Sequence, residues 1–303
     1  MRYFEKHPMI LLVVGIVGIA LSAIFVKYSQ APSVVTAAYR LLWTVLLMSP
    51  VVLFNTGYRK ELLGIDRRTG LLCIVSGIFL AIHFTVWIES LSHTSVSSST
   101  TFSCTEVIWV SFGYCLFLKG RLSGKSILAI IITLTGSLLI AYSDSSSGGG
   151  RLYGDILALS AAVAMSVYTL IGRVARTTTT TTVYTYIVYT ACAVTLVIIT
   201  ALQGHSLTGY GSSAVIVGLL LAVFSTILGH SIFSWCLKYF SPSFVSASKL
   251  CETVVAAILA GFLFHEIPSA VHVLGCVVIL SGLIFYSCIE NHSEKPAEHP
   301  QQK

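Results

Sequence analysis

Glu106 and Glu252 are carboxylates set inside long apolar stretches, 146 residues apart, and each follows a run of small and hydroxyl-bearing residues. The first run reads Ser95-Val-Ser-Ser-Ser-Thr-Thr-Phe-Ser-Cys-Thr-Glu106 and the second Ser241-Pro-Ser-Phe-Val-Ser-Ala-Ser-Lys-Leu-Cys-Glu252. A charge in hydrocarbon surroundings costs at least about 2.5 kcal/mol, so an intramembrane carboxylate is a functional candidate by default. Two chemistries suit it: binding a cationic group such as a solute ammonium, or carrying a proton. The structural alternative for Glu106 is a carboxyl held by neighbouring Ser and Thr hydroxyls.

Other polar groups share these surroundings. Lys249 lies three residues before Glu252, a spacing that places both on one helical face and allows a local ion pair or snorkelling to the interface. Arg40, between Tyr39 and Trp43, has the planar donor fork suited to a carboxylate, with aromatic rings at hand to pack a solute or stack on the guanidinium. Its structural alternative is a pair with Glu106 or Glu89. His83 and His230 stand at nearly equivalent places and serve either as hydrogen-bonded core residues or as pathway groups. Trp87 and Trp109 either line a cavity or pack against lipid and protein. The candidate substrate-binding set is therefore Arg40, Tyr39, Trp43, His83, Trp87, Glu106, His230, Lys249 and Glu252.

The elements that position these groups are hydrophobic helices. The 303 residues are 55% hydrophobic and 10% charged, with a mean hydropathy of +0.86, against roughly 25% charged for a soluble domain. Ten apolar stretches approach the ~20 residues that cross a bilayer: 9–28, 33–54, 70–90, 96–118, 125–142, 153–172, 183–202, 214–236, 243–264 and 268–289. The continuous runs do not suit a barrel's alternating strands. The sequence thus predicts an all-α integral membrane protein of ten transmembrane helices. Arg2 and Lys6 ahead of the first run, with Ser29-Gln-Ala31 after it, look like a secretory signal; nine further apolar runs favour an uncleaved first helix.

Basic residues fix the expected orientation. With the N-terminus inside, fourteen lysines and arginines fall in cytoplasmic segments, and only Lys27 and Arg151 fall outside. Both termini are expected in the cytoplasm of a cell (inner) membrane protein. The net charge of +6 is spread over short loops, which argues against a nucleic-acid partner. The eight cysteines sit in or beside apolar runs, form no CxxC pair and read as small packing residues.

Ser143-Asp-Ser-Ser-Ser-Gly-Gly-Gly150 is a flexible linker that splits the chain. The expected units are 1–142 with helices one to five, a linker over 143–152, 153–289 with helices six to ten, and a disordered cytoplasmic tail over 290–303. Five is odd, so the second unit enters the membrane from the opposite side, giving two inverted five-helix repeats. Gly136 and Gly282 share the 146-residue offset of the glutamates. Thr177 to Thr182 reads as a low-complexity loop.

Arg40, the segment Trp87-Ile-Glu-Ser-Leu-Ser-His-Thr-Ser-Val96, Cys251-Glu252, and His265-Glu266-Ile-Pro-Ser269 with Gly275 and Gly282 resemble the EamA family of the drug/metabolite transporter superfamily. The resemblance spans about residues 9–289 as two repeats. It implies ten helices, a central cavity lined mainly by the first four helices of each repeat, and alternating access. Members often carry proline directly after the glutamate of the fourth and ninth helices; Val107 and Thr253 stand there in this chain, so no proline kink is expected. Gly120 replaces the first repeat's equivalent of Glu266.

The expected function is secondary active transport, as an exporter of small metabolites such as amino acids or related solutes. A small-molecule substrate and membrane lipid are the implied partners, a coupling proton and a homodimer fit the same reading, and no cofactor or metal is called for. A passive channel or scramblase is the alternative. An intramembrane enzyme is the weaker one, because Ser269 stands where a zinc protease's second histidine belongs.

Overall fold

Long apolar runs without water to bond must satisfy their backbone internally, and helices do so. The computed structural model describes residues 7–94, 96–144, 152–264 and 269–293. These are helical throughout, with short connections and no strand among them. Residues 1–6 with Arg2 and Lys6, Ser95, the Ser/Gly linker from 145 with Arg151, the segment 265–268, and the chain beyond 293 lie outside the described residues.

In chain order the helices are α1 (Pro8–Val26), α2 (Ser33–Phe54), α3 (Thr56–Leu63), α4 (Arg67–His93), α5 (Val96–Cys104), α6 (Glu106–Phe117), α7 (Gly124–Asp144), α8 (Leu152–Ala175), α9 (Thr181–Leu202), α10 (Gly211–Cys236), α11 (Pro242–Lys249), α12 (Cys251–Phe264) and α13 (Ala270–Ser293). Six of them, α1, α2, α4, α8, α9 and α10, are long and apolar enough to cross a membrane. Shorter apolar helices run over Phe102–Phe117, Gly124–Ile140 and Val273–Ile289.

Side chains set many helix starts. Asp66 accepts from the Thr69 N–H at 3.0 Å to open α4, and Ser241 accepts from Phe244 N–H at 3.2 Å, with Pro242 at the first turn of α11. Thr180, inside the threonine run, caps α9, and its own N–H and hydroxyl donate to Glu61 of α3 at 2.6 and 2.8 Å. That run is a cap anchored to another helix, not only a loop. Arg173 and Arg176 close the far end of α10 by donating to the carbonyls of Leu237, Phe240 and Ser234.

Two apolar stretches expected as single spans, 96–118 and 243–264, are each a pair of helices joined end to end. Around Thr105 and Leu250 the backbone tightens to three-residue bonds: Ile108 N–H donates to Thr105 O at 2.9 Å, and Leu250 N–H to Ala247 O at 3.1 Å. Hydroxyls share two neighbouring carbonyls with backbone N–H groups: Thr105 Oγ1 donates to Phe102 O at 2.6 Å and Thr253 Oγ1 to Leu250 O at 2.7 Å. The interruptions arise without proline. Within α10, Leu221–His230 widens to π-helix, a form that is rare and often marks functional sites.

Helices from the two ends of the chain interlock. One buried cluster joins α2 and α4 to α8 and α9; the other joins α1 and α5–α7 to α10–α13. At the seam of α7 and α13 the backbones approach through glycine: a Cβ on Gly136 would lie 2.7 Å from Gly275 O. Small residues allow such contact where membrane helices pack by dispersion.

Candidate functional site

Each half places a glutamate at a helix interruption. Glu106 is the first residue of α6 and Glu252 the second of α12. The start of a helix offers free N–H groups and a positive dipole end, which favours a carboxylate there.

Glu106 is 5% exposed, and its carboxylate is held by three side chains. Oε1 accepts from Thr169 Oγ1 at 2.9 Å, Ser246 Oγ at 3.0 Å and Lys249 Nζ at 3.0 Å, while Oε2 accepts from Lys249 Nζ at 3.1 Å. The donors come from α8 and α11, so three helices meet on one side chain. The Lys249 ammonium also faces the Phe233 ring, 5.5 Å from its centroid. The sequence offered Glu252 as the local partner of Lys249. The structure pairs the lysine with Glu106 instead, because α11 ends at Lys249 and Glu252 belongs to the next helix.

Arg40 is fully buried and pairs with neither Glu106 nor Glu89. Its Nε donates to Thr226 Oγ1 at 2.7 Å in the π-helical stretch, and its guanidinium lies 4.1 Å from the centroid of Phe84. Nη2 is buried without a hydrogen-bond partner. Glu89 instead bonds His93 on an exposed face at 3.1 Å.

A partly enclosed cavity joins these groups. It is lined by Arg40, His83, Phe84 and Trp87 from α2 and α4, Glu106 from α6, and His230, Lys249 and Glu252 from α10–α12, with Ser22, Thr100 and Ser103 adding hydroxyls. Its volume is about 50 Å³, room for a few waters at the ~10–15 Å³ each requires. His83 Nδ1 lies 3.0 Å from Ala161 O, and its ring stacks on Trp87 at 6.4 Å. His230 packs edge-on to Phe84 at 5.2 Å, and its Nδ1 has no hydrogen-bond partner. Glu252 is half-buried, and no hydrogen bond or ion pair reaches it from the described residues.

Seven of the nine candidates, Arg40, His83, Trp87, Glu106, His230, Lys249 and Glu252, therefore meet at one cavity. Tyr39 and Trp43 are not among its lining. Tyr39 is turned about 100° from Arg40 on the same helix, and its hydroxyl donates to Leu207 O at 2.7 Å. Trp43 is half-buried elsewhere on α2, and Trp109 is 39% exposed. Sequence reasoning missed Thr169, Ser246, Thr226 and Phe84. Ser246 alone carried a signal, standing one helical turn before Lys249.

The EamA-like transporter family matches residues 7–142 and again 152–288. A Clostridium kluyveri protein described as an uncharacterized transporter is 24% identical over 286 residues, covering 89% of this chain and 92% of that protein. A protein of known crystal structure shares the fold with a TM-score of 0.76 at 15% identity, over 96% of this chain and 99% of the other. Matched twice along its length, this chain belongs to the EamA-like transporter family and is a multi-pass membrane transporter, not an enzyme.

Proposed function

We propose that the protein is a secondary active transporter that exports small metabolites, amino acids or related solutes, by alternating access around the central cavity. The observation that carries this reading is the carboxylate of Glu252 in the same cavity as Arg40 Nη2, a guanidinium nitrogen without a hydrogen-bond partner among the described residues. A zwitterion offers an ammonium to the first and a carboxylate to the second. Phe84 and Trp87 supply apolar wall, as solute pockets generally need.

A cavity of about 50 Å³ is too small for such a solute, so loading requires the surrounding helices to part. A cavity this small among packed helices favours alternating access over a standing pore. The scaffold is ten spans in two inverted five-helix repeats, with both termini in the cytoplasm of the cell membrane. The basic-residue bias and the odd number of apolar stretches per half support that arrangement. A proton exchanging at Glu252 couples transport to the membrane gradient.

Proteoliposomes test this directly. With a pH gradient imposed, labelled amino acids should accumulate above their external concentration. Flux that only runs down the solute gradient would favour a channel, and no flux of any zwitterionic solute would remove the substrate class. Single cysteines introduced at Gly148 and after Lys303 should label from opposite sides of the membrane; labelling from the same side would refute the inverted repeat.

A further inference from the structure

The two repeat-related glutamates differ at the position three residues before them. That position holds Ser103 ahead of Glu106 and Lys249 ahead of Glu252, again at the 146-residue offset. The lysine belongs to one half of the chain and spends its charge on the glutamate of the other. Its ammonium takes one hydrogen bond to each carboxylate oxygen, at 3.0 and 3.1 Å, while Thr169 and Ser246 fill further acceptor sites. Three of these four bonds fall on Oε1 and one on Oε2, and Lys249 is the donor that reaches both oxygens. A proton or a second cation must displace that ammonium to take its place against the carboxylate.

We infer that Lys249 is a tethered counter-cation: its ammonium holds at Glu106 the place a proton or a monovalent cation would otherwise take, which withdraws Glu106 from exchange and leaves Glu252 as the exchangeable carboxylate of the cavity. Only the assignment to Glu252 rests on the transport reading; the lock at Glu106 is a property of the folded protein. The other titratable groups acting on Glu106 are Cys104 from α5, His83 from α4, Tyr168 from α8 and Glu252 from α12. Arg40 of α2 bears on Glu252 and His83 rather than on a direct contact with Glu106. Among the described residues, Lys249 is the cation in contact with that carboxylate. Its replacement by a neutral side chain leaves a vacancy that only a small cation can fill.

The test uses the full-length protein in detergent and reads thermal unfolding, which needs no substrate. Wild type, Lys249→Met, Lys249→Arg and the double variant Lys249→Met/Glu106→Gln are melted from roughly pH 5 to pH 9 in sodium, potassium or choline chloride. Lys249→Met should melt on the order of 10 °C lower at the alkaline end, as expected for a buried charge left alone. It should recover as the pH falls or as sodium or potassium replaces choline. The sign follows from linkage: the folded variant must bind a proton that its unfolded chain does not hold at that pH, so stability rises toward acid. The double variant should regain most of the loss and show the wild-type pH and cation profile, and Lys249→Arg should keep both. A Lys249→Met profile parallel to wild type in pH and cation, or a double variant as unstable as the single one, would overturn the inference. Should Lys249→Met yield no folded protein, the double variant decides: its recovery supports the lock, and its failure to fold refutes it. Because no transport is measured, loss of the transport reading would leave this result standing.

Discussion

Glu106 accepts four hydrogen bonds from three residues of two other helices, whereas Glu252 meets the cavity with no hydrogen bond from the described residues. Both stand at the start of a helix that follows an interruption, and both follow hydroxyl-rich segments. Their places along the helices match, and their hydrogen bonding does not. Position along each half therefore sets where a carboxylate sits, while Lys249, Thr169 and Ser246 set what it touches. Glu106 ties the two halves of the chain together, and Glu252 lines the cavity without a hydrogen bond from the described residues.

Breaking the tie should have the largest effect. Glu106→Ala leaves the Lys249 ammonium buried without a counter-charge and should cost about 3–5 kcal/mol, seen as a large drop in melting temperature or in folded yield. Thr169→Val and Ser246→Ala each remove one hydrogen bond to the charged carboxylate and should cost about 1.5–3 kcal/mol. Their effects should not add, because both donate to Oε1. Equal and additive losses would mean that the two hydroxyls act independently of the ion pair.

On the open side of the cavity the effects move from stability to binding. Arg40→Lys keeps the charge but loses the planar fork, the stacking on Phe84 and the bond to Thr226. Solute affinity should fall roughly tenfold, about 1.4 kcal/mol, and unchanged affinity with normal expression would remove Arg40 from the solute site. Glu252→Gln loses no hydrogen bond and should shift stability by less than about 0.5 kcal/mol. A loss as large as that of Glu106→Ala would erase the contrast between the two glutamates.

Much of this architecture is written in the sequence. Unbroken apolar runs gave α1, α2, α4 and the other long helices, because hydrophobic length is a direct physical requirement. Gly136 and Gly282, noted only for their shared offset, both lie in the α7–α13 seam, where a side chain would strike the facing helix. The helix interruptions were less legible. Proline is the usual signal, and at Thr105 and Leu250 hydroxyl bonds to carbonyls and local tightening replace it. The π-helical stretch of α10 and the Arg40–Thr226 bond depend on packing that no local pattern encodes. Lys249 shows the limit most plainly: helical spacing pointed to Glu252, three residues on, and the true partner lies 143 residues away.

Whether Glu252, rather than Glu106, exchanges during transport is decided by the pH dependence of solute uptake in proteoliposomes carrying Glu252→Gln at matched protein density. Glu252→Gln should give a flat pH profile in protein as stable as wild type, while any folded Glu106→Gln protein should keep the wild-type profile. A wild-type profile in Glu252→Gln, with the pH dependence lost instead in Glu106→Gln, would contradict the assignment to Glu252.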